Sequence, residues 1–301
     1  MGAVDMSSWS GSTDRALAWL SARRARLNRI ALAVALAIFV GGLVLSLRSS
    51  PDILEQARLM PLLGLVLLTL PMGLAINALD FQVMARMCGA RVGFWPALMI
   101  SVYSRAANML PIPGSMAVRM GVLKTHGVTF RRGGGLIVLF TLIFGGVGFC
   151  YSASWLAVQA PPALAAGFGA LGVALLGTSA ALAHRAQLPW RMVGAVTLFR
   201  LGLVAVDALS LMIALGAVGV DVDYRQTAIL VVAGFLSGAV PAGIGVREAV
   251  VAILAPIAGI DPAAGFLAAS ASRVTAMAFL AVCTGVPYAV LSRNGKNGWR
   301  L

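Results

Sequence analysis

The stretch Leu236-Ser-Gly-Ala-Val-Pro-Ala-Gly-Ile-Gly-Val-Arg-Glu248 constrains this chain most, because it sets an Arg-Glu pair beside a helix break inside apolar sequence. Pro241 removes a backbone donor, and Gly243 and Gly245 permit angles that interrupt a helix. The apolar runs on either side therefore read as two half-helices meeting at a tip. A looser version lies at Asn108-Met-Leu-Pro-Ile-Pro-Gly-Ser-Met-Ala-Val-Arg119, where Pro111, Pro113 and Gly114 break the run and Arg119 follows it. The same device is written twice.

Such breaks gain meaning from their surroundings. With 60% hydrophobic residues, 11% charged residues and a mean hydropathy of +0.92 over 301 residues, the chain lies far outside the range of soluble domains. It reads as an all-α integral membrane protein. The net charge of +13 could suggest nucleic acid, but the basic residues sit mostly in short segments flanking apolar runs, so no nucleic-acid partner is expected. Cys88, Cys150 and Cys283 are far apart and read as packing residues, and His126 and His184 fall in basic loops. No metal motif, nucleotide-binding loop or catalytic signature is legible, so neither a metal nor a cofactor is expected.

Taken in order, residues 1–29 predict a cytoplasmic, basic, amphipathic segment. A first repeat covers 30–158, with spans near 30–47, 61–86 and 134–158 and a re-entrant hairpin over 95–125 whose halves are too short to cross a core that needs about 20 apolar residues. A second repeat covers 159–292, with spans near 163–183, 193–218 and 263–291 and a re-entrant hairpin over 226–258. Residues 293–301 form a tail. This path puts fifteen Lys/Arg on the cytoplasmic side and three outside, the bias that positions both termini in the cytoplasm of a multi-pass protein in the inner membrane. The sum is about six transmembrane helices and two re-entrant hairpins in an inverted repeat, the plan of alternating-access transporters. Gly145-Gly146 and the run Ala268-Ala-Ser-Ala-Ser272 would let its helices approach closely.

Five arginines remain at membrane depth: Arg105, Arg119, Arg200, Arg247 and Arg273. Charges there are costly and are usually paired or functional. Half-helix ends offer free N–H groups, and arginine adds a planar fork suited to phosphate, so an anionic lipid headgroup is the expected ligand. Arg119, Arg247, Glu248, Arg273 and Asp80 are the leading candidates to bind it. Each also has a structural reading: Glu248 with Arg247 as a pair closing the hairpin, Asp80 paired in-helix with Arg86, Arg119 reaching toward cytoplasmic water. Arg105 and Asn108 would steady the first hairpin, with Asn108 satisfying backbone groups freed by the prolines. Arg200 and Asp207, seven residues apart on one helical face, read as a structural polar pair.

The Asn-x-Leu-Pro-x-Pro-Gly-x4-Arg sequence at 108–119, the Pro-x-Gly-x-Gly-x-Arg-Glu sequence at 241–248, and the small-residue helix carrying Arg273 resemble the transmembrane region of lysylphosphatidylglycerol synthases and their stand-alone, flippase-like relatives. The resemblance covers about residues 30–292. It implies movement of a lipid headgroup across the cytoplasmic membrane, with Asp80, Arg119 and Glu248 matching charged positions of the lipid-translocating domain. The synthases also carry a soluble aminoacyl-transferring domain. This sequence has none, so synthesis of aminoacylated lipid is not expected. Two alternatives stay open: an integral membrane enzyme acting on a lipid phosphate or prenyl substrate, and a non-catalytic partner of a lipid-synthesis enzyme complex.

Overall fold

The computed structural model describes residues 33–49 apart from 35, then 55, 58–108, 114–159, 161–238 and 243–293. Every element among them is helical. A short apolar helix, α1 (Leu36–Ser49), is followed by α2 (Met60–Met87), α3 (Phe94–Ala107), α4 (Gly114–Thr125), α5 (Phe130–Gln159), α6 (Pro162–Arg185) and α7 (Trp190–Ala217). Next come three short helices, α8 (Tyr224–Leu230), α9 (Val232–Gly238) and α10 (Gly243–Leu254), a single 3₁₀ turn, and α11 (Pro262–Arg293).

Five of these helices, α2, α5, α6, α7 and α11, are long and apolar enough to cross a membrane, as expected of a multi-pass membrane protein. They coincide with five of the six spans read from the sequence; the start of the sixth, at Ile30, lies outside the described residues. Leu67, Val173, Leu198 and Val282 stand exposed on these helices, a surface suited to hydrocarbon rather than water.

The spans pack through small residues. A Cβ at Gly146 of α5 would press on Leu176 and the Gly172 backbone of α6, and one at Gly172 would meet Cys150, so this helix pair closes only with glycine on both sides. On α11, Ala268, Ala269 and Ser270 are buried. Helix α7 lies at the centre, against α2, α5, α8 and α11. Around it form two apolar cores: Phe81, Met84, Leu123 and Phe140 gather α2, α4 and α5, while Leu211, Leu215, Leu230 and Val251 gather α7, α8 and α10.

Helix ends are fixed by local chemistry. Asp223 and Gln226 form a reciprocal capping box at α8, and Gln226 also donates from Nε2 to the Ala258 carbonyl at 2.9 Å, tying the start of α8 to the end of the 3₁₀ turn. Asp261 Oδ1 accepts from the N–H groups of Ala263 and Ala264, capping α11 ahead of Pro262 at its first position.

Two local features differ from a plain helical reading. Residues Leu65–Thr69 of α2 are a π-helical turn; Pro71 lacks an N–H and its ring crowds the carbonyl four residues earlier, at Leu67, which widens the ladder there. The segment expected to run as one half-helix from 226 is instead interrupted at Val231, between α8 and α9. The β-branched pair Val231-Val232 weakens the helix at that point.

Candidate anion-binding site

Helices α3 and α4 pack together, and so do α9 and α10. Pro111, Pro113 and Pro241 lie outside the described residues. The glycines beside them serve the chain reversal directly. A Cβ at Gly114 would collide with the Ala107 carbonyl that ends α3, so glycine lets α4 start against its neighbour. Gly243 begins α10, and Gly245 holds φ +82°, a left-handed angle that side chains rarely adopt. Asn108 Oδ1 accepts from the Ser115 N–H at 3.0 Å, capping α4 and linking it to the end of α3.

Between these two helix pairs and α2, α5, α7 and α11 lies a cavity of about 490 Å³. Its lining includes all five arginines of the sequence reading: Arg105, Arg119, Arg200, Arg247 and Arg273. Asp207, Asn77, Asn108 and several serines complete its polar wall. Arg200 is ten residues from the start of α7 and Arg273 eleven from the start of α11, which at about 1.5 Å per residue places both roughly 15 Å from a helix end. These two charges therefore sit well inside the long helices, and the other three line the same cavity.

Two carboxylates stand behind the lining, each fully buried: Asp80 on α2 and Glu248 on α10. Arg200 donates from Nη2 to Asp80 Oδ2 at 2.6 Å, and Arg119 Nη1 approaches the same oxygen at 3.8 Å. Asp80 thus serves two guanidinium groups, one from α4 and one from α7, through a single oxygen. It does not pair with Arg86, which is exposed one and a half turns farther along α2. Arg119 also donates to Asn77 Oδ1 at 3.3 Å, and Asn77 is anchored by its own donation to the Gly73 carbonyl. Arg200 lies over the rings of Phe140 and Phe144, 5.7 and 5.5 Å from their centroids, an arrangement that suits a desolvated guanidinium.

Glu248 accepts from Arg273 Nε through Oε1. Its partner is therefore on α11 and not its neighbour Arg247, because adjacent helical residues point about 100° apart. The expected Arg200–Asp207 pair is also redistributed. Both do share one face of α7 and line the cavity, but Arg200 turns to Asp80, while Asp207 lies beside Gly234 and attracts Arg105. Among the described residues, Arg105 and Arg247 make no hydrogen bond or ion pair, and the buried Nε of Arg247 is without a partner. Nη1 of Arg105 rests against Gly73.

The arrangement has a chemical consequence. Among the described residues, five guanidinium groups face three carboxylates, Asp80, Glu248 and Asp207, so the site carries two positive charges more than these acids balance. Each acid attends to an arginine, and among the described residues no three His, Cys, Asp or Glu side chains come together in a way that could hold a metal ion. Such a site fits an anion from the membrane or water. Sequence reasoning passed over Asn77 and the Phe140–Phe144 shelf; three polar or aromatic neighbours divided between α2 and α5 do not stand out in apolar sequence. No protein-family model matches the chain, and no curated protein matches it.

Proposed function

We propose that the chain is a lipid flippase or scramblase that carries an anionic, phosphate-bearing headgroup across the cytoplasmic membrane. The observation behind this reading is the arginine-lined cavity among the long helices, with two positive charges in excess. A charge at bilayer depth costs about 2.5–3.5 kcal/mol on insertion scales, and a site built only for structure would balance its own. A phosphate supplies the missing charge and meets arginine as a bidentate acceptor. Resemblance of the two Pro/Gly tips to lysylphosphatidylglycerol synthases and their flippase-like relatives points the same way.

In this reading α3–α4 and the segment 226–258, from α8 through α10 to the 3₁₀ turn, are re-entrant hairpins of an inverted repeat, opening to opposite sides, with both termini in the cytoplasm. Arg119 and Arg247, one from each hairpin, then line the path of the headgroup. Labelling with a membrane-impermeant thiol reagent checks the topology. In a protein without Cys88, Cys150 and Cys283, cysteine at position 115 should react from the cytoplasm and at position 238 from the exterior. Reaction of both from one side contradicts the inverted repeat.

Reconstitution with fluorescent and radiolabelled lipids, with and without divalent metal, tests the function itself. Transbilayer movement without chemical conversion is the expected result. A converted lipid would make the chain a membrane enzyme, and neither outcome would leave the role of partner to a lipid-synthesis enzyme. Purified chain given charged tRNA and phosphatidylglycerol should yield no aminoacylated lipid; product above background contradicts the proposal that the chain moves lipid without modifying it.

A further inference from the structure

The five arginines are not equivalent. Arg200 and Arg119 share the Asp80 carboxylate, and Arg273 is bonded to Glu248. These three are held in place by acids that lie behind the cavity wall and are closed to a ligand. Arg105 on α3 and Arg247 on α10 have no such acid behind them. They face one cavity, repel each other, and share only Asp207, which attracts Arg105 from beyond ion-pair distance. Two like charges left facing each other at this depth require a counter-ion between them.

We propose that Arg105 and Arg247 form the anion clamp, one arm from each helix pair, and that it selects a headgroup with two negative charges, a phosphomonoester or a diphosphate esterified at both ends, over a singly charged phosphodiester. The inference rests on the transport reading for the source of the ligand, but its basis is the charge count. Arg105 and Arg247 exceed Asp207 by one charge, and Arg119 and Arg200 exceed Asp80 by another, so a dianion held by the clamp neutralises the cavity as a whole, whereas a monoanion leaves one positive charge buried. Asp207 orients Arg105 and disfavours a third negative charge. Arg119, Arg200 and Arg273 shape the wall as fixed cations, and their acids keep them from closing onto the ligand.

Binding measured apart from transport tests this. Purified protein in detergent is titrated calorimetrically with dihexanoyl phosphatidic acid and with dihexanoyl phosphatidylglycerol near pH 8, where a phosphomonoester carries close to two charges. The two lipids share their chains and differ in headgroup charge. Wild-type protein should bind the phosphatidic acid about tenfold more tightly or better, a gap of about 1.4 kcal/mol. Arg105→Gln and Arg247→Gln, each shown to be folded by size-exclusion chromatography, should lose that preference because one excess charge remains. Equal affinity of wild-type protein for both lipids, binding of neither, or a preference that survives both substitutions overturns the clamp. Transport failing while the preference holds would instead overturn only the proposed function, and transport of a phosphodiester lipid without any preference would overturn only the clamp.

Discussion

Asp80→Asn should cost the protein about 3–5 kcal/mol of stability, the penalty typical of removing one partner from a buried ion pair. The carboxylate is fully buried and two arginines converge on one of its oxygens, so its loss strands two cations. The amide keeps the shape but offers a neutral oxygen. Unfolding followed in detergent by intrinsic fluorescence reads the loss. Asp80→Asn combined with Arg200→Gln should recover much of it, because the uncompensated charge goes with its partner. Glu248→Gln, which takes a carboxylate from a single arginine, should cost less than Asp80→Asn. Wild-type stability in Asp80→Asn would show that this carboxylate does not hold the site together.

Arg247→Gln should behave in the opposite way, lowering transport about tenfold or more with little loss of folded protein. Its guanidinium makes no hydrogen bond or ion pair among the described residues, so removal breaks nothing internal and relieves repulsion with Arg105. What it removes is one bidentate donor to phosphate. Arg247→Lys should fail to restore transport, since a point charge on a flexible stem cannot reproduce the planar fork. Initial rates in proteoliposomes, normalised to reconstituted protein, measure both variants. Unchanged rates would remove Arg247 from the path of the headgroup.

The contrast between these two residues marks where sequence reasoning stopped. Length and hydropathy placed five spans, because each is a local run of apolar residues long enough to register by itself. The same logic singled out the five arginines, which stand out against apolar surroundings. Pairing was not legible. Asp80 and Arg200 are 120 residues apart, and nearest-neighbour reasoning matched Asp80 with Arg86 and Glu248 with Arg247, when helix geometry sends each carboxylate to another element. Nor could the sequence show that Arg105 is one of the two arginines that make no hydrogen bond or ion pair among the described residues, since that depends on where every other charge finds its partner.

The π-helical turn at Leu65–Thr69 and the interruption at Val231 escaped for a different reason. Pro71 signals a disturbance in α2 but does not say whether the helix kinks, breaks or widens. Val231 and Val232 lower helix propensity only slightly, and the choice falls to the packing of Ile229 and Leu230 against α7. Asn108 was legible by contrast, because a side-chain acceptor followed at short range by a broken helix is a capping arrangement.

If the arginine cavity passes an anionic headgroup through the bilayer, as proposed, movement of lipid should depend on the headgroup. Proteoliposomes are loaded with tail-labelled fluorescent phosphatidic acid, phosphatidylglycerol or diacylglycerol-linked neutral sugar, and an impermeant reductant is added outside. With the wild-type protein, the anionic lipids should lose fluorescence beyond the outer-leaflet fraction seen in protein-free vesicles, and the neutral glycolipid should not. Protection of the inner-leaflet anionic lipids at the protein-free level, or equal movement of the neutral one, would rule out headgroup transport through this cavity.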